Sequence, residues 1–220
     1  MARIKLVIFD LDGTLLNTLD DLAESVNQAL EAHGLPAHPV DSYRLFIGTG
    51  SKNMIRQAVG TGANAPVTEM ILREYKDIYA KRWGRLTAKY PGIDGVLDWF
   101  DANAIQYAVL TNKPREFTVR MIDYYFSGRN FAAVIGQKDG EPLKPDPANA
   151  HKIIAASHCG PREAAFVGDS GVDMETAVNA GICPVGALWG FRDEDELLRH
   201  GAKHIAKAPI ELIKIIPDML

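Results

Sequence analysis

Short apolar runs recur along the 220-residue chain, at residues 4–9, 107–110, 132–135, 164–167, 182–188 and, more weakly, 204–206. They are continuous rather than alternating and are bounded by Gly, Asp, Asn or Pro, the pattern of strands buried on both faces of a parallel sheet. Between them, residues 117–125, 148–157, 174–180 and 194–199 carry helical periodicity. Strand and helix therefore alternate, which predicts an α/β chain with a Rossmann-like, doubly wound parallel sheet.

One stretch interrupts the alternation. Residues 15–89 hold helical signals and no convincing strand. Thr18 with Asp21 resembles a capping box, Leu22, Val26, Ala29 and Leu30 form an apolar stripe, and Gly34 with Pro36 ends the segment. Further helices are expected at 43–46, 51–59 and 68–83, and Tyr90-Pro91-Gly92-Ile93 is a turn signal before a helical piece at 95–100. This predicts a core built from 1–14 and 90–220, with an α-helical cap at 15–89 inserted after the first strand. The two hinge crossings fall near Leu15 and Ala88.

Composition removes several classes of function. Hydrophobic residues make up 47% and charged residues 24%, ordinary values for a globular chain. The net charge of −4 is spread over mixed-sign segments without a Lys/Arg stripe, so no nucleic-acid partner is expected. No stretch approaches the roughly 20 apolar residues that span a bilayer, and the short run before Asp10 is no signal-peptide core. Cys159 and Cys183 have no CxxC or Cys/His spacing, which argues against a disulfide framework or structural zinc and for a reducing cytoplasm. His151 and His158 lack a metal-ligand partner, and Trp83, Trp99 and Trp189 read as packing residues.

The chemistry concentrates at strand ends. Phe9-Asp10-Leu11-Asp12-Gly13-Thr14 follows the first strand directly, and ligands of such sheets bind outside the carboxyl ends of the strands. Two carboxylates so close repel unless a cation or proton sits between them, and a hard, oxygen-liganded ion such as Mg²⁺ meets that need. The plainer reading is a turn at Asp12-Gly13 that caps the next helix. Phe166-Val167-Gly168-Asp169-Ser170-Gly171-Val172-Asp173 repeats the arrangement. If its strand lies beside the first, Asp169 completes a metal site with Asp10 and Asp12, and Asp173 falls in the next shell; otherwise Asp169 is a helix cap. Thr111-Asn112-Lys113 ends a third strand with a hydroxyl, backbone N–H groups and an ammonium suited to phosphate oxygens, or forms a simple turn. Lys144, in Leu143-Lys144-Pro145-Asp146-Pro147, sits on a loop stiffened by prolines.

In this order the four motifs resemble those of the haloacid dehalogenase superfamily, in its phosphatase branch with a helical cap after the first strand. The resemblance implies Asp10 as nucleophile and Mg²⁺ ligand and Asp12 as general acid/base, binding the metal through its backbone carbonyl. It further implies Asp169 as the metal's carboxylate ligand and Asp173 as support for its waters or for Lys144. Thr111, Asn112 and Lys144 are implied to hold the phosphoryl group. Asp12 favours phosphate over dehalogenase chemistry, and Thr14 favours hydrolysis over the phosphosugar mutases, which commonly carry an aliphatic residue there. Mutase and non-catalytic phosphometabolite-sensing readings remain as alternatives.

Phe46-Ile47-Gly48-Thr49-Gly50-Ser51-Lys52 is similar to the glycine-containing substrate loop of phosphoglycolate phosphatases. Gly48 and Gly50 would allow close backbone approach, and Lys52 and Arg56 could meet a second anionic group; a helix connector with solvated basic residues is the alternative. The expected partner is a small phosphorylated metabolite, with phosphoglycolate first and pyrophosphate, sugar phosphates and nucleoside monophosphates behind it.

Overall fold

A computed structural model describes residues 3–62 and 64–219. Met1, Ala2, Ala63 and Leu220, which fall inside the ranges expected for core and cap, lie outside the described residues. The strands are β1 (Leu6–Phe9), β2 (Leu16–Asn17), β3 (Ala88–Lys89), β4 (Gln106–Pro114), β5 (Val134–Gln137), β6 (Ala164–Gly168), β7 (Cys183–Ala187) and β8 (His204–Ala206). The helices are α1 (Leu19–Ala32), α2 (Tyr43–Phe46), α3 (Ser51–Val59), α4 (Ala65–Arg82), α5 (Ile93–Ala102), α6 (Arg115–Tyr125), α7 (Ala148–Ala156), α8 (Gly171–Ala180), α9 (Glu194–Arg199) and α10 (Leu212–Asp218).

The main sheet has six parallel strands in the order β5-β4-β1-β6-β7-β8. β1 is continuous in its apolarity because both its faces are covered. Val7 and Phe9 enter one hydrophobic cluster with α5, α6 and α10, while Leu6 and Ile8 enter another with α7 and α8. This is the doubly wound architecture. The chain runs from β1 outward to β4 and β5, then crosses back to place β6 on the other side of β1. That reversal opens a crevice at the carboxyl ends of β1, β4 and β6.

Helices α1 to α4 pack around a third cluster in which Leu22, Val26, Ala29 and Leu30 of α1 meet Ile71, Leu72, Tyr75 and Tyr79 of α4. Two strands interrupt the stretch read from sequence as wholly helical: β2 and β3 pair antiparallel, Leu16 opposite Lys89 and Asn17 opposite Ala88. Each is two residues long, too short to show periodicity. Leu15 and Leu16 belong to the sheet's cluster and Leu19 to the helical one, so the chain changes bodies between them.

The expected capping box is not formed. Thr18 makes no side-chain cap bond. Asp21 instead accepts at Oδ2 from Leu86 N (2.9 Å), Thr87 N (2.8 Å) and Thr87 Oγ1 (2.8 Å). Three donors on one carboxylate oxygen pin the start of α1 to the segment that leads into β3, by which the chain returns to the core, while Asp21 Oδ1 is buried without a hydrogen bond. Cys159 and Cys183 are free. Among the described residues no helix is long and apolar enough to cross a membrane.

Candidate active site

Strand register brings the motifs together. Phe9 lies opposite Val109 of β4 and Val167 of β6, so Asp10 emerges between the ends of its two neighbours, its amide donating to Val167 O (3.0 Å). Thr111 and Asn112 follow on one side, Asp169 on the other. Oxygens of Asp10, Asp169 and Asp173 come within 4.8 Å of one another. All three residues are buried, as are Asp12, Lys113 and Lys144.

Each carboxylate is held differently. Asp169 Oδ1 accepts from Thr14 Oγ1 (3.0 Å) and Oδ2 from Phe191 N (2.8 Å). Two glycines let these groups crowd in: a Cβ at Gly13 would lie 2.2 Å from Asp169 Oδ2, and one at Gly190 2.2 Å from Asp169 Cβ. Gly13 also has φ +83°, a left-handed conformation that favours glycine. Asp173 Oδ2 accepts from Ser170 N (3.0 Å) and Ser170 Oγ (2.6 Å), and its Oδ1 faces Lys144 Nζ at 2.6 Å. Asp173 thus carries the fullest set of protein partners and orients the ammonium. Lys144 Nζ also lies 2.8 Å from Asp10 Oδ1, but outside hydrogen-bond direction, so that buried oxygen has no hydrogen bond.

Asp12 does not join the converging carboxylates. Its Oδ1 and Oδ2 take Lys113 Nζ at 2.9 and 3.1 Å, so the side-chain corner that sequence spacing would give to Asp12 is filled by Asp173. The ammonium of Lys113 also lies 4.8 Å from the Tyr79 ring centroid. Sequence reasoning grouped Lys113 with a phosphate-binding turn and missed this pairing, because nothing in spacing links residues 101 positions apart.

Burial pushes the Asp10 carboxyl from 3.8 up to about 6; Lys144 opposes the rise, and Asp173 and Asp12 add to it. Burial likewise holds Asp169 well above the carboxylate range, reinforced by Asp173 and Asp10. Burial alone would depress Lys144, yet Asp10 and Asp173 outweigh it and hold the ammonium above the ordinary lysine range. Positive charge is short as well: four carboxylates (Asp10, Asp12, Asp169, Asp173) face two ammonium groups (Lys113, Lys144).

Above the aspartates lies a cleft whose volume of about 30 Å³ holds about two or three waters. Asp10, Asp12, Thr111 and Asn112 line its floor, and Ile47, Gly48, Gly50, Ser51, Met54 and Tyr75 its other wall. Thr111 Oγ1 accepts weakly from Lys113 N (3.3 Å), leaving its proton free to donate. The Asn112 amide is already engaged, donating to Gly48 O (3.0 Å) and Lys144 O (3.1 Å) and accepting from Lys144 N (2.9 Å). Asn112 therefore ties the backbone of Lys144 to the Gly48 loop of the helical body.

The structure keeps Lys52 and Arg56 out of this cleft. Ser51, Met54, Ile55 and Ala58 form the buried face of α3, which turns positions 52 and 56 outward by helical period. Lys52 pairs with Glu69, and Arg56 donates to Asn53 Oδ1 (2.6 Å) at the surface.

Residues 7–187 match the protein family described as haloacid dehalogenase-like hydrolase. The chain belongs to that family. Among haloacid dehalogenase-like relatives, phosphoglycolate phosphatase 1 of Pseudomonas aeruginosa is 32% identical over 221 residues, covering 98% of this chain and 78% of the relative. The phosphoglycolate phosphatase of Pseudomonas putida matches to the same extent. A crystal structure from Lactobacillus delbrueckii subsp. bulgaricus, of a protein assigned by prediction as a phosphoglycolate phosphatase, superposes with a TM-score of 0.93 at 26% identity, over 98% of this chain and 99% of that one. With such relatives along nearly its whole length, this haloacid dehalogenase-like chain is a phosphatase.

Proposed function

We propose that the chain is a Mg²⁺-dependent phosphomonoesterase that transfers the phosphoryl group of 2-phosphoglycolate first to Asp10 and then to water. The observation that carries this reading is the division of the two neighbouring aspartates: Asp10 joins Asp169 and Asp173 around a hard-oxygen site, and Asp12 stands apart on Lys113. The donor set fits Mg²⁺. It offers carboxylate oxygens, one of them buried and without a hydrogen bond, and two unbalanced negative charges. Asp10 and Asp169 would hold the ion by their carboxylates and Asp12 by its backbone carbonyl. When bound, the ion neutralises phosphoryl charge that would otherwise repel Asp10.

The residues divide the reaction between them. Lys144 and Thr111 hold the phosphoryl oxygens, and a carboxylate oxygen of Asp10 attacks phosphorus as the ester P–O bond breaks. Asp12 gives its proton to the departing glycolate oxygen. The phosphoryl oxygens offer Lys113 a second anionic partner and so free an Asp12 oxygen for that transfer. Asp12 then takes a proton from water as the water oxygen attacks phosphorus, and the Asp10–phosphorus bond breaks to release inorganic phosphate and restore Asp10. The substrate is named from the relatives, and the two free thiols suit a reducing cytoplasm.

Phosphate release from 2-phosphoglycolate, pyrophosphate, sugar phosphates and nucleoside monophosphates, with and without Mg²⁺, tests the reading against Asp10→Asn. Turnover should require Mg²⁺, favour 2-phosphoglycolate and vanish in the variant. Isomerised sugar phosphate without free phosphate would replace it with a mutase, and binding without turnover with a sensing module.

A further inference from the structure

Among the described residues, the helical side of the cleft presents no cation to a second anionic group. Lys113, the cation among the lining residues, is held by Asp12, and Lys52 and Arg56 face outward. What that side presents instead is a set of hydrogen-bond donors. α3 begins at Gly50, which has no side chain to accept from the first-turn amides. Its first helical bond runs from Met54 N to Gly50 O, so the amides of Ser51, Lys52 and Asn53 come before any intrahelical partner. Gly50 and Ser51 both line the cleft, which directs this end of the helix, with its partial positive charge, into it.

Tyr75, from α4, points to a ligand independently. It is 1% exposed and lines the same cleft. Its ring stacks on Tyr79, with centroids 5.5 Å apart and planes at 21°. The neighbouring buried tyrosines find partners: Tyr79 Oη donates to Met121 Sδ (3.9 Å) and Tyr43 Oη to Asn27 Oδ1 (2.6 Å). The Tyr75 hydroxyl makes no hydrogen bond among the described residues and is not one of the fully enclosed polar atoms left without a partner, so its oxygen keeps access to the cleft with its donor unused. Burial holds its phenol well above the ordinary tyrosine range, so it remains a donor. Ser51, 9% exposed, adds a second hydroxyl.

The backbone amides only donate, and the two hydroxyls can turn their protons the same way, so this lining favours a group that only accepts. A carboxylate is such a group, whereas sugar hydroxyls also need acceptors. Leu22, Ile47 and Met54 close the remaining wall with apolar surface, which leaves room for few carbons between phosphate and carboxylate. We propose that Tyr75, Ser51 and the amide end of α3 form a subsite for the carboxylate of a short phosphorylated hydroxy acid. The subsite rests on the phosphatase reading and supplies its specificity: it recognises the leaving group with neutral donors in place of Lys52 and Arg56.

Tyr75→Phe removes the hydroxyl and keeps the stacked ring. The test compares kcat/KM for 2-phosphoglycolate and ethyl phosphate, which lacks the carboxylate. Loss of a hydrogen bond to a charged group should lower the preference for 2-phosphoglycolate about ten- to a hundredfold, and Ser51→Ala should lower it in the same direction. A preference unchanged by both variants, or no preference in the wild type, overturns the subsite while leaving the phosphatase intact. Calorimetric binding of 2-phosphoglycolate to Asp10→Asn, with and without Tyr75→Phe, separates the two claims. If the wild type fails to hydrolyse either ester but binding still weakens about tenfold or more on removing the hydroxyl, the subsite stands and the hydrolase reading falls; equal binding overturns the subsite.

Discussion

Asp10→Asn should stabilise the metal-free protein at neutral pH, and by an amount the site's electrostatics set. Burial raises the Asp10 pKa from 3.8 to about 6, against the pull of Lys144. The folded protein therefore binds this proton more tightly than the unfolded chain does. Its contribution to stability is fully present below 3.8 and is lost as pH rises through about 6. At about 1.4 kcal/mol per pH unit, the interval comes to about 3 kcal/mol. Asparagine cannot ionise, so it avoids that loss, and Lys144 keeps Asp173 as a partner. Urea unfolding in EDTA from pH 4 to 7.5 measures the difference. The two proteins should nearly coincide at pH 4 and separate by about 3 kcal/mol above pH 6, or by about 6–12 °C in Tm for a chain of this length. Saturating Mg²⁺ should close or reverse the gap, because a ligand stabilises only the state that binds it. A separation that does not change with pH, or a wild type more stable than the variant in EDTA at pH 7, would refute the reasoning.

The other substitutions probe the support of Asp169. Gly190→Ala places a Cβ 2.2 Å from Asp169 Cβ and 2.5 Å from Gly13 O. It should cost about 1–3 kcal/mol in urea unfolding and weaken Mg²⁺ activation; wild-type values for both would show that the segment can move aside. Thr14→Val removes the donor to Asp169 Oδ1 with little change of shape, and should raise the Mg²⁺ concentration for half-maximal activity about 10–100-fold. An unchanged Mg²⁺ titration would mean that Phe191 N alone orients the carboxylate.

The sheet was legible because its strands are buried on both faces, so residues 4–9 and 164–167 read as uninterrupted apolar runs closed by the residues that do chemistry. The apolar stripe of α1 was legible for the same reason, one face being wholly buried. β2 and β3 were not, since pairing two residues with two others across the inserted helices leaves no local trace. The Thr18–Asp21 spacing pointed to a cap, but three donors from Leu86 and Thr87 compete for the same carboxylate and win. Lys52 and Arg56 had the right charge and lie on the outward face of α3, a fact fixed by where that helix packs rather than by its composition. Tyr75 could not be told from a core residue by sequence, for it is one; only its unpartnered hydroxyl and its place in the cleft set it apart from Tyr79.

The enclosed part of the cleft holds about two or three waters, so we expect the helical body to move relative to the sheet as a phosphomonoester enters. The segment 188–192 makes that motion inseparable from the placement of the Asp169 carboxylate. Trp189 Nε1 donates to Thr14 O (2.9 Å), and Phe191 N holds Asp169 while its ring packs in the helical cluster. Arg192 Nη2 donates to the carbonyls of Leu45 (3.2 Å) and Ile47 (3.0 Å), and Arg44, from the opposite side, donates to Gly190 O (3.3 Å). Ile47 itself lines the cleft. Opening must either break the bonds made by Arg44 and Arg192 or carry the segment away from Asp169. In both cases the closed position of the helices and the final orientation of the Asp169 carboxylate are reached together, so completion of the hard-oxygen site is tied to the exclusion of bulk water from it.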